Sequence, residues 1–364
     1  MAEDGDICVN KGGFYALCAI CGFECLVILG AFIYVTYGAR LKRWGAANIR
    51  AREVKMTKKK STKKPETEPW EIDYRKIKFK TKLAKGNFGE VWVGTWLGSP
   101  VAIKTVISSM ARDKEFIERF LLEIGLMANL HHPNIVMFLG ACTKPIERMC
   151  LVLEFCVHGN MHEFLQNEEK QHKIQVTIHM VMKFATDIAR GIHYIHQKKN
   201  IIQRDLKSRN VLIDVHLNAK VADFGLSRLK QEDQGMTACG TPAWTAPEIV
   251  RMEHYDEKVD VYSFGIVMWE LITRQEPYDG QGGVQIAYAA AEQGLRPQVP
   301  AFCPEKYSVL MQQCWAENPM ERPEFGEILE RLYMMMKETP NPRLRDLEKK
   351  NKNNGAVSGK QLID

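Results

Sequence analysis

One short polar segment, residues 203–210, constrains this chain more than any other part of its sequence. It reads Gln-Arg-Asp-Leu-Lys-Ser-Arg-Asn, and an Asp-Phe-Gly triplet begins thirteen residues after Asn210, at Asp223. These residues supply a carboxylate that can accept a proton, a lysine, and the hard oxygen ligands that magnesium prefers. Such a set suits phosphoryl transfer to a hydroxyl, because that reaction depends on positioning and on charge placed against phosphate oxygens.

The segment resembles the protein-kinase pattern H-R-D-L-K-x-x-N with its later D-F-G. The resemblance implies that Asp205 deprotonates the substrate hydroxyl and that Lys207 contacts the γ-phosphate of ATP. It also implies Mg²⁺ ligands at Asn210 and Asp223. The histidine of the pattern is replaced by Gln203. Glutamine donates and accepts hydrogen bonds but lacks the flat ring, so we expect catalysis to persist at a reduced level.

Residues 83–91 read Leu-Ala-Lys-Gly-Asn-Phe-Gly-Glu-Val and resemble the glycine-rich loop that covers ATP phosphates in kinases. Glycines let backbone amides approach phosphate oxygens, and Ala84 stands where the pattern has its first glycine. Taken alone, such a motif is also compatible with an ordinary hairpin. The resemblance makes these residues nucleotide-binding candidates: Leu83, Ala84, Lys85, Gly86, Asn87, Phe88, Gly89 and Val91.

Residues 101–104 read Val-Ala-Ile-Lys and match the kinase strand that carries a phosphate-binding lysine. Alternation along a strand puts Ala102 and Lys104 on one face, and a small residue beside a lysine suits a flat base followed by its phosphates, so Ala102 is also a nucleotide-binding candidate. Glu123 falls on the apolar stripe of a helix predicted over residues 113–128. A carboxylate buried there needs a cation, so we predict a Lys104–Glu123 pair, as in active kinases. The alternative is a surface glutamate at the edge of the stripe.

Residues 151–156 resemble the strand that enters the hinge between the two lobes of a kinase. The resemblance implies that the backbones of Glu154 and Cys156 contact the adenine edge. It also implies that Leu212 forms the floor of the nucleotide pocket. An Ala-Pro-Glu triplet ends at Glu248, and the resemblance pairs this glutamate with Arg322 in a structural ion pair.

Arg204, directly before the predicted base, points to a control mechanism. A phosphate on the segment after residue 223 could pair with this arginine and order the segment. Thr237 is the best candidate for that phosphate, followed by Ser227 and Thr245. An ordinary loop threonine is the alternative for Thr237.

The resemblance covers about 260 residues, from near Trp70 to near Met336, and is closest to the tyrosine-kinase-like group. It implies an α+β, bilobal protein-kinase fold, with a small antiparallel β lobe that carries one helix and a large, mostly helical lobe. Lys207 and Thr241 favour serine or threonine hydroxyls, whereas residues 244–248 resemble tyrosine kinases and leave dual or tyrosine specificity open. A catalytically silent nucleotide-binding scaffold is the alternative of another class, supported by Gln203 and Ala84.

The N-terminal part predicts one transmembrane helix before the kinase domain. Residues 14–37 are almost continuously apolar with one acid, Glu24. A helix of this length spans about 36 Å, which exceeds a hydrocarbon core of about 30 Å. Residues 38–64 carry eleven Lys or Arg and one acid. The positive-inside rule therefore places the N-terminus outside and the kinase domain in the cytosol.

These features predict the domain organisation and the partners. The basic segment contributes +10 to a chain of net charge +6, so the remainder is about −4 and argues against a nucleic-acid-binding protein. We expect protein substrates, ATP and Mg²⁺ as partners. The basic segment either contacts anionic lipid or serves only as the flank that stops membrane transfer. Glu24 marks self-association through the membrane helix or a polar partner in another membrane protein, or it stays protonated without a role. The predicted divisions are a short extracytoplasmic segment (1–13), a transmembrane helix (14–37), a juxtamembrane linker (38–72), a kinase domain (73–336) and a flexible polar tail (337–364).

Overall fold

A computed structural model of the chain describes residues 68–85, 89–106, 113–167, 174, 176–224, 228–229 and 241–339. The predictions for residues 1–37, for most of 38–72 and for most of 337–364 lie outside these ranges. The same is true of these candidate site residues: Gly86, Asn87, Phe88, Ser227 and Thr237. None of the helices within the described ranges combines the length and the apolar character that a membrane span requires.

The first part of the described chain forms a five-stranded antiparallel sheet in the order β1-β2-β3-β5-β4. Burial alternates along β3, where Val101 and Ile103 are fully buried and Ala102 and Lys104 lie on the other face. This is the predicted two-residue period of a strand. The strands are β1 (Ile77–Lys85), β2 (Gly89–Trp96), β3 (Ser99–Val106), β4 (Phe138–Cys142) and β5 (Cys150–Glu154).

One helix, α1 (Lys114–Met127), accompanies this sheet. Phe120, Ile124 and Met127 recur at helical spacing and are buried. The side chain of Glu123 is only 13% exposed, so it lies on the buried side of the helix, as the apolar stripe predicts. The inward-facing prediction for Glu123 is therefore confirmed, and the alternative of a surface glutamate is excluded.

The second part of the described chain is mostly helical. Its centre is α5, in which every residue from Val259 to Leu271 is buried. A helix that is apolar on all sides is stable only when other elements surround it. The helices here are α2 (Met161–Gln166), α3 (Ile178–Lys199), α4 (Pro247–Val250), α5 (Lys258–Thr273), α6 (Gly283–Glu292), α7 (Glu305–Cys314) and α8 (Phe325–Glu338). The two-lobed α+β fold predicted from the sequence is confirmed for the described residues.

Short strands position the polar segments between the sheet and the helices. Segment 203–210 lies between β6 (Ile201–Ile202) and β7 (Val211–Ile213), and β7 pairs with β8 (Ala219–Val221) in a hairpin. β6 pairs with β9 (Arg228–Leu229). The Ala222 N–H donates to the carbonyl oxygen of Asn210 at 2.8 Å. Segment 203–210 and the residues after β8 therefore lie side by side.

The predicted pair of Arg322 and Glu248 is present and buried. Nη1 and Nη2 of Arg322 donate to the two carboxylate oxygens of Glu248 at 2.6 and 2.9 Å. Arg322 is 1% exposed and also donates to the carbonyl oxygens of Ala316, Lys258 and Glu317. This arginine ties α4 to the chain before α8.

Replacing this arginine should destabilise the fold strongly. Arg322→Met leaves the Glu248 carboxylate buried without its cation, so we expect the free energy of unfolding to fall by about 3–5 kcal/mol. Urea unfolding followed by circular dichroism measures the change. Arg331→Met is the control, because its pair with Glu327 is exposed and spaced at i,i+4, and it should cost less than about 1 kcal/mol. Equal losses in the two variants would contradict a structural role for the buried pair.

Candidate active site

Lys104 on β3 contacts two carboxylates that come from distant parts of the chain. Its Nζ lies 3.4 Å from Oε1 of Glu123 on α1 and 3.3 Å from Oδ1 of Asp223 after β8. Burial disfavours the charge on Lys104, but Asp223 and Glu123 outweigh that effect and raise the pKa of the lysine. Burial also raises the pKa of Glu123, and Lys104 works against that rise. The predicted pairing of Lys104 with Glu123 is thus present, together with a second acidic partner.

The carboxylate of Asp205 is held by three side chains. Lys207 Nζ and Asn210 Nδ2 donate to its Oδ2 at 2.8 and 2.9 Å, and Thr241 Oγ1 donates to its Oδ1 at 2.8 Å. Lys207 Nζ also donates to Thr241 Oγ1 at 2.6 Å. A carboxylate fixed in this way can accept a proton from a hydroxyl placed beside it.

Gln203 forms hydrogen bonds at the site through both its amide oxygen and its amide nitrogen. Its Oε1 accepts from the N–H of Asp205 at 2.6 Å, and its Nε2 donates to the carbonyl oxygen of Asp223 at 3.0 Å. The side chain is fully buried. Gln203 therefore joins the segment that carries Asp205 to the segment that carries Asp223, without an aromatic ring.

Two residues of the site have left-handed backbone conformations. Arg204 has φ +65° and Asp223 has φ +57°. Non-glycine residues rarely adopt this region, and such strain persists only where the surroundings fix it. At Arg204, the backbone N–H donates to Oδ1 of Asp260 at 2.8 Å and Nη1 donates to the hydroxyl of Tyr255 at 3.0 Å.

The candidate metal ligands are one carboxylate and one amide oxygen. The Nδ2 group of Asn210 donates to the carbonyl and the carboxylate of Asp205, so its amide oxygen remains as an acceptor. The Asp223 side chain is 47% exposed. Across the ranges that the structure describes, no group of three or more His, Cys, Asp or Glu side chains could hold a metal ion. One or two protein oxygens that act together with phosphates are a usual Mg²⁺ site.

The described nucleotide-binding candidates of the small lobe line up across three strands. Ala84 pairs with Val91, Val91 pairs with Lys104, and Ala102 pairs with Leu153. Leu83 and Lys85 are exposed on the same strand as Ala84. A Cβ at Gly89 would overlap the carbonyl oxygen of Thr105, so only glycine fits at that point of β2.

A buried lysine holds the side chain of Glu154, one of the two hinge candidates. Lys220 Nζ donates to Oε1 of Glu154 at 2.9 Å, and the same oxygen accepts from the N–H of Met137. Cys156 is 5% exposed, and burial raises the pKa of its thiol to about 12. Leu212 is half-buried and pairs with Lys220 across the β7–β8 hairpin. The structure therefore brings Leu212 near the hinge strand through Lys220.

Sequence reasoning missed two residues that organise the site. Asp260 on α5 is fully buried, accepts from the N–H of Gln203 at 2.8 Å and lies 2.7 Å from Nε2 of His196. Thr241 served in the sequence only as an indication of the acceptor hydroxyl, yet its side chain bridges Asp205 and Lys207. An aspartate inside a largely apolar helix was the available signal for Asp260, because a buried carboxylate requires partners.

Comparison with known proteins independently supports the resemblance to protein kinases. The model of the family described as "Protein tyrosine and serine/threonine kinase" matches residues 77–332. This chain belongs to that family. The match lies within the kinase domain predicted over residues 73–336 and includes every candidate catalytic residue.

Several curated relatives match the same region. "Probable serine/threonine-protein kinase drkB" of Dictyostelium discoideum is 44% identical over 261 residues, 71% of this chain and 37% of the relative. "Probable serine/threonine-protein kinase drkA" of the same organism is 43% identical over 263 residues, 72% and 40% of the two chains. "Serine/threonine-protein kinase STY17" of Arabidopsis thaliana is 38% identical over 294 residues, 80% and 50% of the two chains. The chain thus spans half or less of the length of these relatives.

The bridging role of Gln203 can be tested by an apolar replacement of similar size. Gln203→Leu removes the bonds to the Asp205 N–H and the Asp223 carbonyl, so we expect the free energy of unfolding to fall by about 2 kcal/mol. Thermal and urea unfolding measure this loss. Gln312→Leu is the matched control, because Gln312 is exposed and its amide nitrogen hydrogen-bonds to Ser308 within its own helix. An unchanged stability of Gln203→Leu would show that the bridge contributes nothing.

Proposed function

We propose that this chain is a serine/threonine protein kinase that transfers the γ-phosphate of ATP to hydroxyl groups of protein substrates. One observation carries the proposal: the Asp205 carboxylate is held by Lys207, Asn210 and Thr241, while Lys104 lies between Glu123 and Asp223. Membership of the kinase family and the names of the relatives support it.

The nucleotide would lie between the small-lobe sheet and the β7–β8 hairpin. The backbones of Glu154 and Cys156 would contact the adenine edge, with Ala102 and Leu212 on either side of the base. Lys104 would contact the α- and β-phosphates, and Glu123 keeps this lysine in place. Mg²⁺ held by Asn210 and Asp223 would neutralise charge on the phosphate oxygens.

Asp205 would orient the substrate hydroxyl and accept its proton during transfer. Two of its contacts, Lys207 and Thr241, form a closed triangle with it. Lys207 would place a positive charge beside the transferring phosphoryl group, where negative charge spreads over the equatorial oxygens. Thr241 would fix the position of the segment that meets the protein substrate relative to the carboxylate of Asp205.

Serine and threonine are the favoured acceptors. Lys207 and Thr241 contact each other and Asp205, the proposed proton acceptor, and the relatives carry serine/threonine-kinase names. Dual or tyrosine specificity is the second candidate, favoured by the Trp-Thr-Ala-Pro-Glu sequence over residues 244–248. Phosphoamino-acid analysis of labelled protein substrates separates the two, since phosphotyrosine as the main product would overturn the first choice.

The activity itself is tested by transfer of labelled phosphate from ATP to a generic protein substrate. Asp205→Asn removes the proton acceptor and keeps the size of the side chain, so we expect kcat to fall by at least about 100-fold. Asp279→Asn, an exposed aspartate outside the site, should leave kcat unchanged. EDTA should abolish transfer and Mg²⁺ should restore it. A wild-type signal no higher than that of Asp205→Asn would instead support the silent scaffold.

We also propose that residues 14–37 tether the kinase domain to a membrane, with the N-terminus outside and the kinase domain in the cytosol. The apolar run and the basic residues that follow it support this proposal. Carbonate extraction of membranes that carry the expressed chain should leave it in the pellet, whereas a variant that begins at residue 38 should move to the supernatant. Release of the complete chain into the supernatant would contradict the tether.

A further inference from the structure

Glu270 on α5 is a buried carboxylate that the proposed mechanism does not use. It is 1% exposed. Its Oε1 accepts from Oγ of Ser208 at 2.5 Å, and its Oε2 accepts from Nε1 of Trp244 at 2.7 Å and lies 3.4 Å from the N–H of Ser208. Burial raises the pKa of Glu270 to about 7, against the effect of these hydrogen bonds. Within the described part of the chain, no basic side chain forms an ion pair with it.

A leucine would suit this position better if the only requirement were a packed core. The neighbours of Glu270 along the helix, Trp269 and Leu271, are apolar and buried. Burying a carboxylate without a cation carries a large desolvation cost, which only well-placed donors can offset. Here the donors come from two separate segments, so the carboxylate links those segments to α5 and to each other.

Both linked segments carry groups of the proposed active site. Ser208 directly follows Lys207, and Trp244 lies three residues after Thr241. Thr241 in turn contacts Asp205 and Lys207. A shift of Ser208 relative to Trp244 would therefore change the distance between the proton acceptor and the substrate-facing segment.

α5 holds segment 203–210 at both ends. Asp260 accepts from the backbone N–H groups of Gln203 and Arg204, at the start of the segment. Glu270 holds Ser208 near its end. The two carboxylates are ten residues apart, which corresponds to about 15 Å along a helix. Asp205 lies between these two anchors, and a displacement of even about 1 Å at a reacting group can reduce the rate about 100-fold.

We propose that Glu270 is a positioning residue for phosphoryl transfer, which joins Ser208 to Trp244 and so fixes Asp205 against Thr241. This inference rests on the proposed kinase activity. Glu270 forms no hydrogen bond or ion pair with those nucleotide-binding candidates that the structure describes, so its effect falls on the transfer step and on the use of the protein substrate.

The first test compares two replacements of Glu270 in the complete chain. Glu270→Leu keeps the volume and removes both bonds, so we expect kcat with a protein substrate to fall about 10- to 100-fold while KM for ATP changes less than about twofold. Glu270→Gln can accept from Trp244 and donate to Ser208 Oγ, so it should keep kcat within about fivefold of wild type. Wild-type kcat in Glu270→Leu would overturn the proposal. A KM for ATP that rises by the same factor by which kcat falls would also overturn the proposal.

The second test asks whether Glu270 acts through Ser208. Ser208→Ala removes one hydroxyl and should lower kcat about tenfold. The double variant Ser208→Ala with Glu270→Leu should be no slower than Glu270→Leu alone, because both changes break the same link. Losses that multiply in the double variant would overturn the proposal. If Glu270→Leu does not fold, Ser208→Ala and Trp244→Phe each break one of the bonds, and wild-type kcat in both would overturn it equally.

Glu276→Gln is the matched control. Glu276 accepts from Nη2 of Arg209, the residue next to Ser208, but this pair is exposed. It should keep the kcat of wild type, and a loss equal to that of Glu270→Leu would contradict a specific role for the buried carboxylate. An inactive wild-type chain would remove the proposed function itself, whereas an active wild type with an equally active Glu270→Leu would remove only the positioning role.

Discussion

The active-site architecture depends on the carboxylate of Asp260, which is buried in the helix α5. It accepts hydrogen bonds from the backbone N–H groups of Gln203 and Arg204 and lies 2.7 Å from Nε2 of His196. These two partners in segment 203–210 are backbone groups. The helix therefore fixes the backbone of this segment independently of the catalytic side chains that the segment carries. The left-handed backbone of Arg204 is maintained within this network.

The charges of the site are placed by three elements that are remote in sequence. Glu123 lies 19 residues from Lys104 in the chain, and Asp223 lies 119 residues from it. The position of Lys104 therefore depends on α1, on the sheet and on the segment after β8 together. A displacement of α1 would remove Glu123 from the lysine and leave Asp223 as its partner. Gln203 reinforces the arrangement, since its side chain bonds to the backbone of both Asp205 and Asp223.

Periodic patterns allowed much of the fold to be predicted. The alternation over residues 101–104 and the stripe over residues 113–128 each assign a face to a residue from local geometry. The strand face that carries Lys104 and the helix face that carries Glu123 could therefore be predicted without knowledge of the rest of the molecule. The bridge made by Thr241 and the second acidic partner of Lys104 could not, because nothing in the local sequence shows where a segment more than 30 residues away will lie.

The sequence by itself determined the chemistry of the chain: which residues can accept a proton, carry charge or ligate a cation, in what order they occur, and which strand and helix faces they occupy. Tertiary structure decided which of them meet. It placed Asp260 and Glu270 beneath segment 203–210, and it gave Lys104 two carboxylates instead of one. The physical reason is burial, since a carboxylate removed from water is tolerated only where packing brings donors or cations to it, and packing is a property of the whole fold.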